Sequence, residues 1–277
     1  FFCWYLFSLN SLNNFKFTFK FIFMIKFKNK KKLGQHFLIN ETIAKSISNT
    51  FDGRDNVLEI GPGMGILTKY VTNNTSKLIL IEIDPDCVKH LNNIYSDIKI
   101  INDDILKINL NNLFDSNFSI ISNLPYNISS QVFFKILESR NLIDNFTFML
   151  QKEVGVRICS KPCKKTYGIL SVLIQIYFDV QYVFDVDSVE FNPPPRVMSC
   201  VIKGNRNKRS DIGVSFSFLK NIVKNSFQNR RKTLRNSLKN LNLPNDFTSK
   251  KIFSRRAEQL DLDEFIWLSK KIKFLKQ

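Results

Sequence analysis

From residue 56 onward, short apolar runs alternate with stretches in which apolar residues recur every three or four positions. The runs at 57–60, 78–83, 98–101, 118–122 and 146–151 are short and rich in Ile, Leu, Val and Phe, as strands covered on both faces are. Between and after them, 66–71, 85–95, 130–139 and a stretch near 170–177 carry helical spacing. That alternation predicts a parallel, doubly wound α/β sheet. Two further strands, at 180–186 and 197–203, flank Asn192-Pro193-Pro194-Pro195. Proline has no N–H to give to a ladder, so these strands are expected to form a closing antiparallel pair joined by a stiff connection. Past Gly204 the pattern is helical and strand-free, with amphipathic stretches around 218–227, 232–241 and 263–275. A boundary is placed there, giving an α/β unit at 31–203 and a small all-helical unit at 204–277.

The start of the chain follows a different rule. Phe15, Phe17, Phe19, Phe21 and Phe23 alternate with Lys16, Thr18, Lys20 and Ile22, a period of two that suits an amphipathic strand. Lysines interrupt it too often for a membrane span, and the basic start, apolar middle and cleavage site of a targeting peptide are missing. Met24, followed by Ile25-Lys26-Phe27-Lys28, has the form of a translation start. Residues 1–30 are therefore set apart as a basic, Phe-rich extension, either genuine or translated upstream sequence, with a transit peptide as the lesser alternative.

Charge sharpens this division. The net charge is +17, yet residues 1–40 hold seven lysines and no acid, and residues 203–256 hold fifteen basic residues against Asp211 and Asp246. A slightly acidic centre between basic flanks points to a polyanionic partner. Biased composition contributes to the lysine content but does not explain why acids are missing from those two stretches. The five cysteines have no paired C-x-x-C spacing, and only His36 and His90 exist to complete a shell, so neither a disulfide framework nor a structural metal is expected. A reducing compartment follows.

Candidate chemistry lies at the ends of the predicted strands. Gly61, Gly63 and Gly65 form a G-x-G-x-G turn between a strand and a helix, where a backbone can approach an anionic group. Ile66 stands where a dinucleotide fingerprint requires glycine, which counts against NAD. Taken alone, the loop is equally a tight turn in some other α/β protein. Glu82, seventeen residues beyond Gly65 at the next strand end, can accept both hydroxyls of a ribose, or be an ordinary solvated acid. Asp104, beside Asp103, can accept from an adenine amino group, and the choice between the neighbours stays open. An adenosine held by two carboxylates, with glycines beside a methionine tail, describes S-adenosylmethionine. The fourth strand leads into Asn123-Leu124-Pro125-Tyr126. An aryl amine such as adenine N6 is a poor nucleophile because its lone pair is delocalised into the ring. The Asn123 amide oxygen and the Leu124 carbonyl would localise that pair by accepting both amine N–H groups. Pro125 stiffens the turn, and Tyr126 offers a face for a base.

These residues resemble one family, the adenine dimethyltransferases of small-subunit ribosomal RNA. The matching pieces are 33–38 (Leu-Gly-Gln-His-Phe-Leu), the 59–65 glycine loop, 123–127, 148–154, 165–168, 192–197 and 227–238, with Arg256-Ala257-Glu258 as a closing signature. They run in order from about 31 to about 268. The resemblance implies a Rossmann-like class I methyltransferase fold and S-adenosylmethionine bound through His36, Leu38, Gly61, Gly63, Glu82, Asp104 and Asn123. It also implies dimethylation of N6 on two adjacent adenosines in a hairpin loop near the 3′ end of the RNA. Several family members carry Asn where His36 stands, a tolerated variation. Positioning supplies much of such catalysis, and no general base is required. Arg230, Arg231, Lys232 and Arg235 are expected at helical spacing, meeting RNA phosphates; a solvated helix face is the plainer alternative. The partner implied is an immature small ribosomal subunit, met by a monomer without membrane attachment in the bacterial cytoplasm, with an organelle matrix second.

Two other readings share these features. A large-subunit rRNA adenine dimethyltransferase would have the same loop and an Asn-x-Pro-Tyr turn, and the 192–197 and 227–238 segments favour the small-subunit enzyme over it. A non-catalytic RNA-binding assembly or transcription factor of the same fold is the second, against which intact Glu82, Asp104, Asn123 and Tyr126 argue.

Overall fold

A computed structural model describes residues 33–53, 55–209 and 211–276; the Phe-rich alternation and the start at Met24 lie outside them. In chain order the elements are β1 (Phe37–Leu38), α1 (Glu41–Thr50), β2 (Asn56–Ile60), α2 (Thr68–Val71), β3 (Lys77–Glu82), α3 (Pro85–Ile94), β4 (Lys99–Asn102) and β5 (Phe118–Asn123). There follow α4 (Ser129–Glu138), β6 (Ile143–Gln151), α5 (Lys152–Ile158), α6 (Ile169–Tyr177), β7 (Phe178–Val186), β8 (Phe191–Asn192) and β9 (Ser199–Arg206). The basic segment contributes α7 (Phe216–Gln228), α8 (Leu234–Ser237), α9 (Asn245–Thr248) and α10 (Leu262–Leu275).

Seven strands form one sheet in the order β4-β3-β2-β5-β6-β9-β7, and β1 pairs with β8 in a separate two-stranded ladder. β2 to β6 are parallel, as the apolar runs predict. Their alternate residues enter two cores. Leu58, Ile79, Ile120 and Phe148 pack on one face with α4, α6, α7 and α10, while Val57, Leu80, Ile121 and Met149 pack on the other with α1 and α3. Burial on both faces is why β2, β3, β5 and β6 read as apolar runs, whereas β4, at the sheet edge, is only half-buried.

The expected antiparallel pair exists and belongs to the same sheet as the parallel strands. β9 lies between β6 and β7 and is antiparallel to both, so the sheet is mixed and β7 is its edge. The crossover through α6 brings β7 in parallel to β6 one strand position away, and the 187–198 connection returns the chain into that gap. β9 also runs through Gly204 to Arg206, past the point where composition turns basic. A Cβ on Gly204 would sit 2.4 Å from the Phe146 ring, so this glycine is a close packing contact within a strand, not a breaker.

The amphipathic stretch at 232–241 is not one helix. α8 gives way to a 3-10 turn closed by Asn242 in the left-handed region, φ 49°. Three helices absent from the sequence reading are α1, opened by Asn40 accepting from the Thr42 and Ile43 N–H groups at 2.8 and 3.2 Å, α5, which starts directly from β6, and the single turn of α9.

Candidate active site

The strand order reverses between β2 and β5, and the crevice beyond the carboxyl ends of strands at such a point is where open α/β sheets bind ligands. Each predicted strand-end residue sits there. Gly61 follows β2, Glu82 ends β3, Asp104 follows β4 and Asn123 ends β5. A cavity of about 290 Å³ occupies the crevice, and His36, Leu38, Gly61, Gly63, Glu82, Asp104, Asn123, Leu124, Pro125 and Tyr126 all line it.

The glycine loop has the backbone its sequence requires. Gly61, Gly63 and Gly65 have φ of 63°, 57° and 78°, where side chains are strained. Gly61 N–H donates to the Ile81 carbonyl at 2.8 Å, and Gly65 N–H closes the turn on the Pro62 carbonyl at 2.9 Å. A Cβ on Gly63 would come within 2.9 Å of the Phe37 ring, and one on Gly61 would lie 3.8 Å from Pro125 Cδ. The loop is thus pressed between the 33–38 segment and the Asn123–Tyr126 turn.

Glu82 is buried, and both of its oxygens accept from backbone: Oε2 from Gly63 N–H and Oε1 from Asp84 N–H, each at 2.9 Å. Burial raises its pKa while these bonds oppose the rise, and the two backbone donors fix the side chain where it lines the cavity. A carboxylate has about four acceptor positions, which leaves capacity for ligand hydroxyls. Asp104 Oδ1 accepts from Leu106 N–H at 2.9 Å in a tight turn, and Asp103, also at the cavity, is the more exposed neighbour.

The Asn123 turn is held from four sides. Leu124 N–H donates to the Met149 carbonyl at 2.9 Å. Asn123 Nδ2 donates to the His36 carbonyl at 3.1 Å. The Tyr126 hydroxyl is hydrogen-bonded to Ser199 Oγ on β9, and its ring stacks on His36 with centroids 5.4 Å apart. Burial raises the Tyr126 pKa, so the phenol stays neutral.

Sequence reasoning missed the struts behind these residues. Gln35 Nε2 reaches Asp84 Oδ2 at 2.7 Å, and His36 Nδ1 meets the Pro193 carbonyl at 2.8 Å. The 33–38 and 192–197 motifs were legible, but their pairing as β1 and β8, through Phe37 opposite Asn192, was not. Glu59 was also passed over. Its side chain is 1% exposed, Oε2 has no partner among the described residues, and burial pushes its pKa up to about 8, with the nearby Thr68 hydroxyl offsetting part of the rise. Between about 4.5 and 8 the unfolded chain gives up a proton that the native chain keeps, so stability falls as pH rises through that window. Glu59→Gln should flatten the decline and gain about 2 kcal/mol near pH 8, read from urea midpoints at pH 5.5 and 8. Parallel pH profiles would refute a buried neutral carboxyl.

The basic quartet is corrected in part. α7 ends at Gln228, so Arg230, Arg231 and Lys232 occupy a turn instead of a helix face. Arg230 pairs with Glu258 at 2.8 Å and donates to the carbonyls of Lys164, Lys165 and Tyr167. Arg235 donates to the Thr248 carbonyl at 3.1 and 3.2 Å. Both guanidiniums are used to tie the fold. Arg231 and Lys232 are exposed beside the lysine-bearing 161–165 loop that Arg230 anchors.

Comparison with known proteins agrees with this geometry. The profile of the family described as ribosomal RNA adenine dimethylase matches residues 26–269. The ribosomal RNA small subunit methyltransferase A of Flavobacterium johnsoniae is 49% identical over 254 residues, covering 90% of this chain and 97% of that one. The protein of the same name from Parabacteroides distasonis is 47% identical over 248 residues, 87% and 93% of the two chains. Among solved structures, a dimethyladenosine transferase from Plasmodium falciparum superposes with a TM-score of 0.74 at 26% identity, covering 87% of this chain and 98% of that one. The 23S rRNA methyltransferase ErmE gives 0.60 at 24% identity over 87% and 100%, a likeness of fold. With a profile match over most of its length and relatives near half-identical across it, the chain belongs to the ribosomal RNA adenine dimethylase family.

Proposed function

We propose that the protein dimethylates adenine N6 in small-subunit ribosomal RNA with S-adenosylmethionine as methyl donor, at the two adjacent adenosines of the 3′-terminal hairpin loop. The observation that carries this reading is the junction of the glycine loop and the Asn123–Tyr126 turn in one cavity, with the Gly61 Cβ position 3.8 Å from Pro125. The residues fit the donor. Gly61 and Gly63 leave room for its methionine part, Glu82 takes the ribose hydroxyls and Asp104 the adenine amino group. His36 and Leu38 line the same cavity. When bound, the donor supplies an electrophilic methyl carbon carried on a positive sulfur.

The chain's own groups prepare the nucleophile. Asn123 Oδ1 and the Leu124 carbonyl accept the two N–H groups of the target amine and draw its lone pair out of conjugation. Tyr126, fixed by Ser199, stacks on the base. Arg231 and Lys232 meet RNA phosphates. The names of the bacterial relatives support the small subunit over the large one and the bacterial cytoplasm as the place of action. No helix among the described residues is long and apolar enough to cross a membrane.

Labelled donor incubated with immature small subunits lacking the modification should place label in N6,N6-dimethyladenosine of the small-subunit RNA. Label confined to large-subunit RNA would overturn the assignment. The basic turn has its own test. Arg231→Ala with Lys232→Ala should weaken RNA binding and reduce the slope of log affinity against log salt by roughly 0.7–0.9 per contact, with the melting temperature unchanged. Arg230→Ala should instead destabilise the fold by about 1–2 kcal/mol, because its carbonyl partners lose a charged donor. The reverse pattern would show that Arg230 contacts RNA.

A further inference from the structure

The sequence gives His36 one role, contact with the methyl donor. Its neighbours in the fold define another. A carbonyl oxygen can only accept, so the 2.8 Å contact between His36 Nδ1 and the Pro193 carbonyl makes Nδ1 the protonated nitrogen. The same ring lies on Tyr126 at 5.4 Å with a 28° inclination. The His36 backbone carbonyl, also acceptor only, faces the Asn123 side chain at 3.1 Å, so the Asn123 atom turned to it must be Nδ2. The amide is planar, which places Oδ1 on the opposite edge.

We propose that His36 is a positioning residue: braced between the Pro193 carbonyl and the Tyr126 ring, it holds its own carbonyl against Asn123 Nδ2 and so sets Oδ1 as the end offered to the target amine. The inference rests on the function proposed above. Without the brace the amide is free to rotate, and the rotated form presents N–H donors to an amine that itself needs acceptors. The brace reaches Pro193 across the β1–β8 ladder, which gives the separate two-stranded sheet a purpose: it ties the 33–38 segment to the carboxyl-terminal part of the α/β unit. Asparagine at position 36 preserves the arrangement, since its amide N–H occupies nearly the place of an imidazole Nδ1–H.

The test uses the full chain labelled with ¹⁵N-asparagine, the Asn123 side-chain amide signals being assigned by their loss in Asn123→Ala. In His36→Ala these signals should shift and exchange faster with solvent, and in His36→Asn they should stay near the parent position. Turnover at saturating methyl donor should fall about tenfold or more in His36→Ala, over and above any loss of donor affinity, and recover in His36→Asn. In an Asn123→Ala background, adding His36→Ala should cost no further turnover. Unmoved amide signals, additive losses, or an effect confined to donor affinity would overturn the proposal. Failure of the proposed function is distinct: the parent protein would methylate no ribosomal RNA, while the amide signals would still report whether His36 braces Asn123.

Discussion

Asn123→Ala is expected to lower the rate of methyl transfer by about 10²–10³-fold while RNA affinity changes by less than about threefold. The size follows from what the side chain does and when. The adenine amine is planar and weakly nucleophilic in the ground state, and its N–H groups become more acidic as the nitrogen pyramidalises and takes on positive charge. Acceptors fixed beforehand at those hydrogens therefore bind the transition state more tightly than the substrate, the condition for raising kcat. Removing one preoriented polar partner of a developing charge costs a factor of that order in other group transfers. The Leu124 carbonyl remains, because its segment is held by the Leu124 N–H bond to the Met149 carbonyl, so a residual rate is expected. The measurement is single-turnover methyl transfer beside filter binding of the same RNA. Equal losses in rate and affinity would mean that Asn123 only helps to hold the base.

The second large effect is on the donor. Glu82→Ala should weaken S-adenosylmethionine binding by more than about 10²-fold, from two charge-assisted hydrogen bonds to ribose at roughly 1.5–3 kcal/mol each. The loop also suffers, since Gly63 and Asp84 N–H groups both lose their acceptor. Glu82→Gln distinguishes this site from a simple polar contact. One of its two terminal atoms is a donor, and it would face an N–H on either side, so the isosteric variant should bind the donor nearly as poorly as alanine. Calorimetric titration with the methyl donor, and with its demethylated product, reads both variants. Near-parent affinity in Glu82→Gln would show that the carboxylate is a structural acid with no ligand.

How much of this was legible beforehand divides along physical lines. Four of the five parallel strands, β2, β3, β5 and β6, were readable because they are buried on both faces, leaving apolar runs that few other structures require, while the edge strand β4 showed only its half-buried Ile100 and Ile101. The candidate residues at 61–65, 82 and 123–126 were readable because they occupy strand ends or turns with a local signature: glycines at positive φ, an acid ending β3, and the Asn123–Tyr126 turn. Mixed polarity in β9 was harder. Its approximate place was visible, but its insertion between β6 and β7 depends on which neighbour offers open hydrogen-bonding groups. Gly204 misled because a glycine that lets an aromatic ring approach is spelled the same way as one that ends a strand.

The arginines show the same limit from the side of charge. A run of basic residues announces positive potential near 230–235, but a guanidinium with carbonyls within reach is spent on them, and only folding reveals that Lys164, Lys165 and Tyr167 meet Arg230. The one-dimensional chain thus carried the fold class, the family and the candidate residues that meet in one cavity, because those rest on periodicity and on chemistry local to a few residues. Which groups brace which, as in His36 against Pro193, Tyr126 against Ser199 and Gln35 against Asp84, came from contacts between residues far apart in the chain. Hydrogen-bond partners at such separations leave no spacing to read; they exist only once the two hydrophobic cores have brought the strand ends together.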